Sequence, residues 1–491
     1  MAVARPNILF IMADDHASHA MGCYGSRINE TPNIDRIADQ GIRIDNCFCT
    51  NSICAPSRAV ILTGKHAHIN GVKTLGDRFD GRQQTMPKLM QDAGYQTAMV
   101  GKWHLGEGGN SSPTGFDYWN VLPGQGDYHN PVMLSPVGEQ QYSGYVTDII
   151  TDLSLDWLDQ RDRNRPFMLM CHHKAPHRWW EPDDEHASLY AAEDIPLPDT
   201  LFDDYSGRSQ AAKEAKMRIE RDFMYRDLKL VPPAGASITD TIEIPDDLTD
   251  FSLRPVDGEP VGFGSRREVV EWLYQRYIKD YLRCVASIDD NVGRMLDYLE
   301  TEGCAEETLV VYTSDQGFFL GDHGWYDKRF MYEESLRMPL VVRYPQEIPS
   351  GTSSSYMALN LDFAQTFLDY AEAPVPDDMQ GRSLRPLFRG ESPTDWRTSM
   401  YYRYWMHLAH HYVGAHYGVR TERYKLIHYY GEALGTSDSI DESKPAEWEL
   451  FDLKTDAAEL HSVYDDPAYA SVAADLKDEL QRLKKEALDF E

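Results

Sequence analysis

The chain is constrained most by a series of short apolar runs that each end in reactive polar residues. Asn7–Met12 and Thr308–Thr313 are unbroken apolar runs, and Tyr95–Val100 and Pro166–Cys171 repeat the pattern. Strands with this continuous pattern are buried on both faces, as in parallel sheets. Helical segments lie between them. Thr31-Pro32 opens one that runs through Ala38 and stops by Gly41, and Met86-Pro87 opens another that stops at Gly94. Thr147–Asp159 and Arg267–Leu299 come next, the latter closing at Gly303. Leu340–Arg343 reads as a further strand, Ile42–Phe48 as one strand, and Asp362–Tyr370 as a helix. The alternation predicts an α/β fold, a large mostly parallel sheet sandwiched by helices.

The residues just beyond each run carry the chemistry. Asn7–Met12 leads to Asp14-Asp15, and Thr308–Thr313 leads to Asp315-Gln316. Tyr95–Val100 delivers Lys102 and His104, and Pro166–Cys171 delivers His172, His173, Lys174 and His177. Open α/β sheets place their sites at these carboxyl ends. Asp14, Asp15, Asp315 and Gln316 offer a hard, all-oxygen cation site suited to Ca²⁺ or Mg²⁺ and not to zinc. Taken singly, Asp-Asp reads equally as a solvated turn and Asp315 as a helix cap. Lys102 and His104 alternate along a strand and so point to one side.

Cys54-Ala-Pro-Ser-Arg58 precedes a short apolar helix ending at Gly64. Cys54 and Arg58 are expected at the helix N-terminus, where free N–H groups favour an anion. A thiol there would be acidified and reactive. A lone cysteine would otherwise read as buried and structural.

Cys-x-Pro-Ser-Arg followed by a small apolar helix and Thr-Gly resembles the modification signature of type I sulfatases. Gly101-Lys-Trp-His-Leu-Gly106, Ala175-Pro-His177 and Asp327-Lys-Arg-Phe-Met-Tyr-Glu-Glu-Ser335 resemble further blocks of that family in its order. The likeness runs from Pro6 to about Asp466 and is weakest between about Glu181 and Glu268. It implies an alkaline phosphatase-like core and conversion of Cys54 to formylglycine by a maturation enzyme. It also implies calcium, in preference to magnesium, on Asp14, Asp15, Cys54, Asp315 and Gln316. The family's second acidic pair is Asp-Asn; glutamine at 316 keeps the amide oxygen and adds a methylene.

By the same resemblance, Arg58 and Lys102 hold sulfate and nucleophile, and His104 polarises or deprotonates the formylglycine hydrate. His177 and Lys328 face the leaving group. His177 is preferred to His173 because a proline precedes it. One hydroxyl of the hydrate attacks sulfur and expels the alcohol; deprotonating the second then ejects sulfate and restores the aldehyde. The blocks Gly321-Asp-His-Gly-Trp-Tyr-Asp-Lys-Arg329 and His416-Tyr-Gly-Val-Arg420 resemble sugar exo-sulfatases such as N-acetylglucosamine-6-sulfatases. That implies a sulfated monosaccharide or chain end as substrate, held by polar groups such as Asp322, His323, Arg403 and His407. Two other readings stand beside it, a phosphonate monoester or phosphodiester hydrolase of the same superfamily and a binding protein that retains the pocket.

At 491 residues the chain exceeds one ordinary core, so two packed units are expected. Composition shifts after about Asp395 to short alternating strands and a final helix. We expect a catalytic domain over 1–395, with 181–266 an insertion near the pocket carrying a polar helix near Ser209–Arg226. A smaller α+β subdomain with an antiparallel sheet would fill 396–491. His407, His410, His411 and His416 cluster there and could suggest a second metal, but histidine interleaved with tyrosine is more often wall or core.

The formal net charge is −31, from 79 acidic and 48 basic residues. Such a surface disfavours nucleic acid and anionic membrane, and favours a small sulfated substrate over an intact polyanion. Seven cysteines, with Cys47, Cys49 and Cys54 crowded together, do not read as a disulfide scaffold. Met1–Arg5 runs straight into the first strand without a leader, so the chain as written is expected to be cytoplasmic, or periplasmic or secreted if a leader has been removed.

Overall fold

A computed structural model describes residues 5–491; the start of the chain on which the leader expectation rests lies, through residue 4, outside the described residues. In chain order the strands of the main sheet are β1 (Asn7–Ala13), β2 (Ile42–Ile44), β3 (Gln96–Lys102), β4 (Tyr118–Leu122) and β5 (Val132–Ser135). They continue with β6 (Gly138–Gln141), β7 (Phe167–His172), β8 (Thr308–Ser314), β9 (Leu340–Arg343) and β10 (Thr352–Ser354). Their spatial order is β10-β2-β9-β8-β1-β7-β3-β4-β5-β6. The five central strands from β8 to β4 are mutually parallel. Antiparallel strands flank them on both sides. Every side chain from Ile8 to Ala13 is fully buried. Each large one contributes about 1.5–3 kcal/mol of transfer free energy, which is why this run takes the middle of the sheet.

Helices cover both faces. Pro32–Asp39, Val146–Gln160 and the long Arg266–Thr301 pack together as one layer. Cys54–Thr63, Met86–Asp92 and Phe363–Tyr370 form the other, where Phe10 of β1 meets Phe363 and Phe367. A separate antiparallel sheet completes the chain, β11 (Ser399–Tyr404), β12 (His416–Thr421), β13 (Tyr424–Tyr429) and β14 (Glu447–Asp452). The helix Ala470–Glu486 lays Leu476, Leu480 and Leu483 on Val419, Leu426 and Leu450 of this sheet. No described helix is long and apolar enough to cross a membrane.

Two local expectations are corrected, and three strands are added. Ile42–Phe48 is two pieces: β2 joins the main sheet, while Cys47–Phe48 pairs with Ala358–Leu359. The polar helix near Ser209–Arg226 shrinks to Gln210–Glu214, capped by Ser209. Beyond it Arg218, Met224 and Leu230 instead make isolated bridges to distant residues. The strands β4 to β6 were not anticipated, because β6 is exposed along its length and carries no apolar alternation.

Candidate active site

Register brings the reactive strand ends together. Ala13 is opposite Ser314, Met12 opposite His172, and Gly101 opposite His172. Asp14 and Asp315 therefore emerge side by side, and the Asp15 N–H donates to Asp315 Oδ1 at 3.3 Å. Asp15, His104, Asp327 and Arg329 all have positive φ, at 70°, 55°, 81° and 91°. Such backbone costs about 1–3 kcal/mol per non-glycine residue and is held only where its surroundings impose it. Here it aims side chains into one place.

Cys54 is the first residue of the helix Cys54–Thr63, which ends at Gly64 with φ 63°. The helix is buried throughout. One turn in, Arg58 Nε and Nη2 reach Asp315 Oδ2 at 3.0 and 2.9 Å, and Nη1 donates to the Lys102 carbonyl at 2.7 Å. Nη2 is also 3.6 Å from Asp14 Oδ2. Ser57 donates to the Asp315 carbonyl and accepts from Asn360 Nδ2 at 2.8 Å. The helix start is thereby locked to the tips of β1 and β8.

The carboxylates of Asp14, Asp15 and Asp315 offer oxygens within 4.8 Å of one another, and Asp14, Cys54 and His177 offer ligand atoms equally close. Burial drives the Asp15 pKa up to about 7 against the pull of Lys328, with Asp14 and Asp315 adding to the rise. Burial and Asp14 likewise push Asp315 up to about 6. Asp14 is the exception: burial opposes its charge, but Lys102, His177, Arg58 and Lys328 hold its carboxyl well below the usual range. Gln316 donates its amide N–H to Asp15, which leaves its Oε1 buried without a partner among the described residues, as is Asp14 Oδ1. Crowded acids and unpaired buried oxygens fit a hard dication, and the all-oxygen set fits calcium.

Cations ring the same space. Lys102 contacts Asp14 and Gln125, and Lys328 Nζ lies 2.7 Å from both oxygens of Asp15. Burial opposes the Lys328 charge, yet Asp15 raises its pKa. His177 Nε2 is 3.8 Å from Asp15 Oδ2, while its Nδ1 lies 2.7 Å from the Arg178 carbonyl. His173 instead turns toward Cys171 Sγ, at 3.7 Å, so His177 is the histidine that faces the carboxylates. Burial and Lys102 hold both His104 and His177 well below the usual imidazole range. The Cys54 thiol is not acidified. Burial and Asp14 push it up to about 12 against Lys328 and Lys102, outweighing the helix end.

Of the residues expected to hold substrate, three are buried against partners of their own. His323 is fully buried between Asp203 Oδ2 at 3.4 Å and Glu334 Oε2 at 3.5 Å. Arg403 is buried, donates to both oxygens of Asp489 at 2.7 and 2.6 Å, and lies on the Trp405 ring. His407 is fully buried, with Nε2 2.8 Å from the Glu442 carbonyl and Nδ1 accepting from the Ala415 N–H. Asp322 stays part-exposed and pairs with His19 at 3.2 Å. The C-terminal histidines do not converge, and among the described residues both potential metal groups contain Asp14.

Other residues enter instead. Asp327 Oδ1 accepts from Arg329 Nε at 2.9 Å, and its Oδ2 is 3.3 Å from His411 Nε2. Arg329 also donates to the Tyr404 hydroxyl at 3.2 Å. Asp327 and Arg329 flank Lys328 directly, a signal already present in the Asp-Lys-Arg triplet. Gln125 left no comparable trace; only the glycines on either side of it marked the loop.

The sulfatase family model matches residues 6–373, and the model of the N-sulphoglucosamine sulphohydrolase C-terminal region matches residues 321–486. The N-acetylglucosamine-6-O-sulfatase of Bacteroides thetaiotaomicron is 45% identical over 503 residues, covering 99% of this chain and 87% of that protein. A solved structure of a protein with its substrate D-glucosamine-2-N,6-O-disulfate superposes with a TM-score of 0.88 at 42% identity, covering 99% of both chains. The phosphonate monoester hydrolase of Agrobacterium radiobacter superposes at 0.72 with 20% identity over 98% of this chain and 96% of that one, a likeness of fold alone.

Proposed function

This chain belongs to the sulfatase family, and on that footing we propose that it removes the 6-O-sulfate of an N-substituted glucosamine, free or at a glycan end. It is a sulfuric ester hydrolase: water is consumed, the S–O bond to the sugar breaks, and the sugar hydroxyl and sulfate are released. The observation that carries this is the meeting of Cys54, three carboxylates and Gln316 with Arg58, Lys102, Lys328 and His177 at one end of the sheet. The sugar and position rest on the relatives at 45% and 42% identity.

Calcium on Asp14, Asp15, Asp315 and Gln316 would supply fixed positive charge for the sulfuryl oxygens. Residue 54, oxidised by a maturation enzyme to the aldehyde, would supply a hydrate hydroxyl as nucleophile. The chain's own residues do the rest. Arg58 holds the helix start against Asp315, so the nucleophile's backbone cannot drift. Lys102 and Lys328 bring ammonium groups to a space where the charge of an ester sulfate must be compensated. Lys328 and His177 lie together against Asp15, where a leaving oxygen can take a proton. A bound anion favours the imidazolium of His177, opposite to what burial and Lys102 do without one.

Asp327, Arg329 and His411 next to Lys328 form a paired carboxylate and guanidinium with a histidine, suited to sugar hydroxyls. His410 is half-exposed nearby and pairs with Asp438 at 3.4 Å.

The test is release of inorganic sulfate from a panel of sulfated monosaccharides, run beside an aryl phosphonate ester. Turnover of glucosamine 6-sulfates above all others is the expected result. Preference for the phosphonate would move the chain to the other reaction class. A Cys54 peptide that mass spectrometry finds wholly unoxidised, in protein without turnover, would favour the binding protein.

A further inference from the structure

Gln125 joins two of the residues that ring the site. Its Oε1 accepts from Lys102 Nζ, and its Nε2 lies 3.3 Å from His104 Nε2. The loop that carries it is built to turn it inward. Gly124 and Gly126 on either side have φ of 50° and 67°, and a Cβ on Gly126 would come within 2.8 Å of Leu122. Side-chain residues rarely adopt such backbone, so glycine on both sides is required. His104 itself has φ 55°, so both partners are held in restricted conformations.

The contacts fix the direction of every hydrogen. A lysine ammonium only donates, so the amide atom facing Lys102 is the carbonyl oxygen. The amide nitrogen therefore faces His104, and because it too only donates, His104 Nε2 must accept. Burial with Lys102 alongside keeps the imidazole neutral, and a neutral ring that accepts at Nε2 carries its hydrogen at Nδ1. That Nδ1 is buried with no partner among the described residues.

We propose that Gln125 is a positioning residue which fixes His104 as the Nδ1–H tautomer, so that His104 enters the reaction as a hydrogen-bond donor to an oxygen of the nucleophile or the sulfuryl group. This rests on the sulfatase reading for the identity of that oxygen. It separates the two roles open to His104. The ring polarises, and it takes no proton at Nδ1 while Gln125 is in place. Gln125 itself touches no reacting atom.

The isosteric Gln125→Glu variant tests this. A carboxylate still accepts from Lys102 but can only accept from His104, which forces the hydrogen to Nε2. We expect kcat to fall by about 10²-fold, the scale of one misdirected donor, with the thermal midpoint unchanged. Added negative charge beside Lys102 could lower kcat without moving the hydrogen, so the tautomer is read separately, and wild-type kcat in this variant would overturn the proposal. Nitrogen-15 NMR of histidine-labelled enzyme reads the tautomer directly, with His104 assigned by its loss in His104→Gln. Nδ1–H in the wild type and Nε2–H in Gln125→Glu are expected; Nε2–H in the wild type would overturn it. Should the wild type release no sulfate from any sugar, the function above fails, while the NMR result still decides this point.

Discussion

Arg58 Nη2 stands 2.9 Å from Asp315 Oδ2, and both side chains are almost wholly buried, at 2% and 0% exposure. The pair ties the first turn of a helix to the tip of a strand far away in sequence. Arg58→Ala leaves the buried Asp315 carboxylate without its guanidinium partner and removes one of the cations around Asp14. Denaturant unfolding without calcium should show a loss of about 3–5 kcal/mol. Arg58→Lys keeps the charge but loses the fork, and kcat should drop by about 10²-fold while the protein stays folded. Wild-type turnover in that variant would show that the guanidinium geometry is dispensable.

The acidic cluster should depend on its cation for stability as well as activity. Adding calcium at a hundred times its dissociation constant should stabilise the fold by about 2.7 kcal/mol. Asp315→Ala should remove that increment and the bound metal together. Elemental analysis and a thermal scan with and without chelator check both. An identical midpoint in calcium and in chelator would exclude this cluster as the site.

Cys54 as a thiol should be inert in the folded protein, because it is buried and its pKa is pushed up to about 12 by burial and Asp14. Iodoacetamide at mildly alkaline pH should leave any unconverted Cys54 unlabelled until urea is added. Cys54→Ala should fold normally and release no sulfate. Rapid labelling of native Cys54 would contradict the buried placement.

His323 should govern stability rather than substrate affinity. Burial opposes its charge, but Glu334 and Asp203 outweigh that and raise its pKa from 6.5 to about 9. A folded-state value above the unfolded one means the folded form holds the proton more tightly. The stabilisation is therefore complete below about pH 6.5 and is lost as pH rises through about 9. The difference in unfolding free energy between wild type and His323→Gln, followed across that window, should shrink toward zero. KM for sulfated sugar should change little.

Asp327 and Arg329 should matter for sugars and not for simple esters. Asp327→Asn should raise KM for a glucosamine 6-sulfate by about tenfold, the scale of one lost charged hydrogen bond. Turnover of a small aryl sulfate should be nearly unchanged. Equal losses on both substrates would place Asp327 in the chemistry, through Lys328.

The strand ends were readable because a parallel strand buried on both faces is a local signal, and the residues next in the chain must lie at the sheet's edge. Asp14, Lys102, His177 and Asp315 could be placed together on that basis, and the Cys54 helix and its Gly64 stop were equally local. His323, Arg403 and His407 could not be placed, since their roles depend on Glu334, Asp489 and Glu442, partners fixed by tertiary packing. Gln125 was invisible for the same reason: a lone glutamine between two glycines signals a turn, not which atoms the turn will reach. The acidity of Cys54 was misjudged because a helix end is a weaker influence than full burial beside Asp14.

The partners Asp15 and Asp315 lie 300 residues apart in the chain. A nascent polypeptide still lacking β8 thus carries Asp14 and Asp15 without the Asp315 that completes the acidic cluster. A fragment that ends before β8 should therefore release no sulfate. The site is complete only in a chain that has delivered β8 beside β1 and Lys328 beyond it.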